Sequence, residues 1–176
     1  MTLRGRIEEA LRPLVGKRLW GSGRATDMEM FEFGERISKL DRHGNPLVVG
    51  EYALHVQCAW RFVGPSGIVV ASRDVFEPPE GSDETPRPEL DWEKGNRRDE
   101  RMRYFLTVKH PAGLVVENFS ADDVGGFQLN FNDNLCLEVF PHDSLPDEHW
   151  RLLKPGDLSS HFVVSGSDIG ERGSLP

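Results

Sequence analysis

Lysine and arginine are missing from residues 110–150, a stretch that carries eight aspartates and glutamates. The net charge is +2 over residues 1–76, −2 over 77–109, −8 over 110–150 and 0 over 151–176, so the whole imbalance of the chain sits in one segment. A protein that grips nucleic-acid phosphates needs clustered cations somewhere obvious. DNA and RNA are therefore not expected as direct ligands. Cysteine is scarce as well: Cys58 and Cys136 lack C-x-x-C spacing, which predicts reduced thiols rather than a redox pair. No apolar run approaches the roughly 20 residues of a membrane-spanning helix, and no basic-then-apolar stretch opens the chain. A membrane partner is not expected, and the cytoplasm is the expected location.

The common catalytic signatures are absent too. Gly21-Ser22-Gly23-Arg24 has two glycines but neither the third glycine of a dinucleotide loop nor the Lys-Ser/Thr of a P-loop. There is no G-x-S-x-G elbow. His142, Asp143, Asp147, Glu148 and His149 are metal-ligand types, but no repeated spacing completes a zinc set. Residues 130–138 lack the central glycine of a calcium loop. No metal and no cofactor are expected.

What is present describes a folded domain. At 176 residues with 38% hydrophobic side chains, the chain is long enough for one continuous core without staples. Leu3, Ile7, Ala10, Leu11 and Leu14 share one helical face, with Thr2 as N-cap and Pro13 near the last turn. Asn96 caps a second predicted helix through about Lys109, with Met102, Phe105 and Leu106 as its core stripe. Extended segments fill the rest. In 27–33 the alternation puts Met28 and Met30 in one phase and Phe31 and Phe33 in the other, which predicts a bulge or burial on both faces. Residues 41–46 form a turn by composition, and 114–119, 149–153 and 161–166 form short strands. Residues 126–140 form a hairpin closed by Asn132, Asp133 and Asn134, types that tolerate positive φ.

Residues 51–62 predict one long strand. Tyr52, Leu54, Val56, Cys58, Trp60 and Phe62 point one way; Glu51, Ala53, His55, Gln57, Ala59 and Arg61 point the other. The strand is expected to turn back through 63–67 into a second strand over 68–76. His55 and Cys58 therefore face opposite sides and do not form a reactive pair. Cys58 belongs to the core, and Glu51, His55, Gln57 and Arg61 form a polar strip that is a candidate ligand-binding face. Residues 77–96, with four prolines, are a loop, and the Gly/Ser-rich end 167–176 a flexible tail. The predicted architecture is one α+β domain over 1–166: an antiparallel, meander-like sheet with an N-terminal helix and a second helix packed on it. Nothing in the sequence specifies an oligomeric state.

Three segments carry a resemblance. Leu137, Val139, Phe140 and Pro141 match L-x-V-F-P; Glu148, Trp150, Arg151 and Leu152 match E-x-W-R-L; His161, Phe162, Val163 and Val164 match H-F-V-V. Together they resemble the C-terminal part of a group of small bacterial proteins, and residues 52–62 with 72–76 resemble an earlier part of the same group. The resemblance covers about half of the chain. Some similar small proteins look like immunity proteins that neutralise a secreted toxin domain, which implies a protein partner and identifies no catalytic residue. An acidic surface that attracts a basic partner fits that implication. Its candidate residues are Asp122, Asp123, Asp133, Asp143, Asp147 and Glu148. The expected function is non-enzymatic binding of a basic protein; the alternative is a small-ligand binder or hydrolase using the His55, Gln57 and Arg61 face.

Overall fold

A computed structural model describes residues 2–41, 43–85, 95–157, 161–166 and 169–171. The first helix, α1 (Leu3–Leu11), begins where Thr2 Oγ1 accepts the Gly5 amide at 3.2 Å. Its apolar stripe buries Ile7 and Leu11, and Pro13 lies in a tighter turn, Arg12–Leu14, that ends the element. Eleven strands follow: β1 (Arg18–Ala25), β2 (Met28–Leu40), β3 (Pro46–Val56), β4 (Ala59–Gly64), β5 (Gly67–Ala71), β6 (Leu114–Ala121), β7 (Phe127–Phe131), β8 (Leu135–Phe140), β9 (Glu148–Leu153), β10 (His161–Ser165) and β11 (Ile169–Glu171). Between β5 and β6 lies α2 (Arg97–Tyr104), whose Asn96 cap accepts the Asp99 amide at 2.9 Å, and which widens into a π turn over Phe105–Lys109.

The pairings are all antiparallel and form one sheet, ordered β11-β10-β9-β3-β2-β1-β6-β7-β8-β4-β5. Two meanders, β1-β2-β3 and β6-β7-β8, meet along the short β1/β6 seam at Arg18↔Val115 and Leu19↔Leu114. With its two helices this is an α+β fold. The sheet is open at its edges yet strongly rolled. Phe31 on β2 and Trp60 on β4 are five strands apart in that order, about 24 Å if the sheet were flat. Their ring centroids are 5.3 Å apart. Phe127 on β7 and Trp150 on β9, equally distant in the order, are 4.7 Å apart. The core is the inside of this roll, where Phe62 touches Phe31, Trp60, Phe131 and, from α2's extension, Phe105.

Several sequence expectations need correction. Residues 51–62 are not one strand. The alternation of buried residues holds except at Ala53, which is 1% exposed, but the chain breaks at Gln57 and Cys58, whose amides both donate to the His149 carbonyl, at 2.8 and 3.1 Å. Before the break β3 pairs with β2 and β9; after it β4 pairs with β8 and β5. The second strand of the following hairpin stops at Ala71, because Asp74 turns back to accept the Ala71 amide at 3.0 Å and Ser72–Phe76 coil into a 3₁₀ turn.

The bulge expected within 27–33 is not there: β2 pairs with β3 without a break from Glu29↔Val56 to Phe33↔Tyr52, with Glu29, Phe31 and Phe33 buried and Met28 and Met30 half-buried on the other face. The bulge of β2 lies farther along, between Phe33 and Arg36, at Gly34, where φ is +77° and an added Cβ would lie 2.6 Å from Glu51 Oε2. Beyond it, Arg36–Leu40 and Pro46–Gly50 pair only with each other, a two-stranded ribbon on which Ile37, Leu40, Leu47 and Val48 are exposed. The turn after β7 places Asp133 and Asn134 at φ 65° and 56°, the conformation their composition predicts. Residues 77–85 are irregular, and the rest of the predicted loop, 86–94, lies outside the described residues. Of the predicted tail, 169–171 pair with β10, and 167–168 and 172–176 lie outside the described residues.

Candidate functional site

The break after Val56 decides the fate of the polar strip. Glu51 is held by Lys17, whose Nζ reaches its two carboxylate oxygens at 2.9 and 2.7 Å; this hydrogen bond keeps the Glu51 carboxyl below its usual range. His55 lies opposite Met30 on β2 and Arg151 on β9. Burial, reinforced by the Arg151 charge, lowers its pKa to about 4, against the opposing pull of Glu148. The imidazole is therefore neutral at pH 7. Gln57 Nε2 donates to Glu148 Oε1 at 3.2 Å, and Arg151 Nε to the same oxygen at 2.5 Å. Arg61, past the break, pairs with Glu138 and lies over the Phe140 ring at 5.6 Å. It borders a shallow hollow of about 350 Å³ with Asp122, Gln128 and Phe140. The structure thus brings His55 and Gln57 together around Glu148 and Arg151, and sends Glu51 and Arg61 to other partners.

The six candidate acids divide between the two ends of the β7/β8 hairpin. Asp133 sits in the turn after β7, with its Oδ2 3.6 Å from His110 Nδ1. The others belong to the opposite end. Asp122 Oδ1 accepts the Val124 and Gly126 amides, each at 2.8 Å, and so shapes the β6–β7 turn. Asp123 pairs with Arg4 at 2.7 Å, both exposed. Asp143 Oδ1 accepts the Leu145 amide at 3.0 Å in the loop between β8 and β9, and the Asp147 carbonyl accepts the Gly166 amide at 3.2 Å. Trp150 Nε1 ties the β6–β7 turn down through the Gly125 carbonyl at 2.8 Å, and Gly125 approaches Pro141 and Val164. Three apolar side chains stand exposed at this end: Val124 at 77%, Leu145 at 56% and Phe140 at 39%. They sit among the acids.

Two features escaped the sequence. The first is a buried ion pair: Arg98 on α2 reaches Glu29 on β2 through Nε at 2.6 Å and again through Nη2, while Ser22 Oγ bonds both partners. Asp99 completes the network, receiving Arg98 Nη1 at 2.9 Å and the fork of Arg24 at 2.8 Å. Glu29 shares the inward phase of Phe31 and Phe33, so an acid on the core face of a strand was the signal available. The second is a cleft of about 730 Å³ between the β4–β5 turn and the outer face of α2. It joins residues far apart in sequence, and no local pattern announces it.

The thiols have little nucleophilic character: burial pushes Cys58 up to about 12 and Cys136 up to about 11. Among the described residues no three His, Cys, Asp or Glu side chains are grouped so as to hold a metal ion, and no helix is long and apolar enough to cross a membrane. The chain is an α+β protein built on a rolled antiparallel sheet. No protein-family model, no curated protein and no solved structure matches it.

Proposed function

We propose that this is a non-enzymatic, immunity-like binding protein of the bacterial cytoplasm, and that it docks a partner protein with a basic surface rather than a nucleic acid. The observation that carries the reading is the acidic end of the roll. There Val124, Leu145 and Phe140 are exposed beside Asp122, Asp123, Asp143 and Asp147, in a segment that itself has no lysine or arginine, although Arg4 reaches Asp123 and Arg61 lies over the Phe140 ring from other parts of the chain. An apolar centre with a charged rim is the anatomy of a protein interface, and a field of one sign speeds encounter with a partner of the other. Asp133, at the far end of β7/β8, lies outside this surface. The alternative site at His55, Gln57 and Arg61 is the weaker reading, since Arg61 is engaged by Glu138 away from the other two.

Affinity purification from the native host at about 0.05 M salt tests this, because exposed charges interact over longer range at low ionic strength. The expected result is one stoichiometric basic protein. Its recovery should fall sharply at about 0.5 M salt and with the variant Asp123→Asn/Asp143→Asn/Asp147→Asn/Val124→Ser. Recovery of this protein alone, or of a partner indifferent to both changes, would overturn the proposal.

A further inference from the structure

We propose that the cleft between the β4–β5 turn and the outer face of α2 binds a small amphipathic anion, an apolar or aromatic body carrying one acidic group. Its volume, about 730 Å³, is that of a drug-sized ligand site. The walls are apolar where they need not be. Tyr104 on α2 and Ile68 on β5 are 53% and 56% exposed, and Phe105 and Leu135 line the cleft as buried core residues. A phenol ring and a branched aliphatic left in water offer a ligand body contact area without first displacing a protein group.

The charges of the cleft are unevenly satisfied. Glu80 accepts from Arg101 Nε at 2.8 Å and lies 3.2 Å from Arg97 Nη2. Glu100 Oε2 accepts the Glu80 amide at 2.9 Å, and Asp133 is approached by His110 and by Asn132 Nδ2. Arg101 is also spent on the Val69 carbonyl, at 2.7 Å. Arg103 and Lys109 remain: both line the cleft, both are exposed, and neither has a partner among the described residues. Glu100 and Asp133 also line the cleft without a lysine or arginine partner among the described residues, so recognition of an anion with an apolar body rests on Arg103 and Lys109 lining the same cleft as the exposed Tyr104.

Titration with 2-naphthoate, its neutral analogue 2-naphthamide and inorganic phosphate, followed by calorimetry and amide chemical shifts, tests the proposal. Naphthoate is expected to bind one to one, shifting the amides of Ile68, Tyr104 and His110, and to bind about tenfold tighter than naphthamide, the scale of a charge-assisted contact. Arg103→Gln/Lys109→Gln should erase that preference while leaving naphthamide affinity and the thermal midpoint unchanged. Tyr104→Ala should weaken both aromatic probes. Four outcomes would each overturn the proposal: no naphthoate binding, equal affinity for naphthoate and naphthamide, an unchanged double variant, or phosphate binding as tightly as naphthoate. Shifts confined to the acidic end would overturn it as well.

Discussion

His55 sits across from Arg151 on one neighbouring strand and Met30 on the other, and burial lowers its pKa from 6.5 to about 4. Because the folded state resists protonation, the unfolded chain binds more protons between these values, and stability rises with pH across the window. The contribution is complete above about pH 6.5 and is lost as pH falls toward 4. A shift of this size corresponds to about 3 kcal/mol at most, and less for a side chain that keeps part of its water contact. Urea unfolding at a series of pH values should show this decline, and His55→Asn should flatten it; an unchanged slope would mean that His55 is not the group responsible. Single-residue properties were legible where they depend on side-chain phase: Cys58 was predicted to be buried and is 4% exposed. Partners were not legible. Nothing local says that Glu148 and Arg151, about ninety residues later, would meet Gln57 and His55.

Elements show the same division. Helix caps and turns depend on neighbours in sequence, so Thr2, Asn96 and the Asp133–Asn134 turn were all visible in it. What anchors α2 was not. Arg98 crosses from the helix to Glu29, with side-chain exposures of 6% and 2%. Removing one member of such a pair strands the other charge in the core. Arg98→Met should therefore cost about 3–5 kcal/mol in urea unfolding, and Glu29→Leu/Arg98→Met should recover much of that loss. A double variant as unstable as the single one would show that shape, not charge, anchors the helix. The β2–β3 ribbon beyond Gly34 is a contrasting element: its strands follow from alternation, but that neither β1 nor β9 extends to cover it is a property of the sheet.

For the whole molecule, the decisive feature is the roll that brings β2 against β4 and β7 against β9. Phe62 is at its centre, fully buried, with four aromatic rings within 6.5 Å of its own. Phe62→Ala is expected to cost about 3–5 kcal/mol. Phe140→Ala, at an exposed ring, should cost under about 1 kcal/mol. Equal losses by thermal or urea unfolding would mean that the roll is not held together at Phe62.

Periodicity, caps and turn chemistry act over a few residues, so the α+β class, the two helices, most strands and the inward phase of residues 52–62 could be read from the chain alone. That residues 51–62 divide between two parts of the sheet follows from strand order, with β3 against β2 and β9 and β4 against β8 and β5. Strand order likewise separates the candidate polar strip and gathers five of the six acids at one end. The cleft beside α2 exists only once the β4–β5 turn and α2 are packed together. Strand order is set by the total apolar surface that a rolled sheet removes from water, and that quantity belongs to no local stretch of the chain.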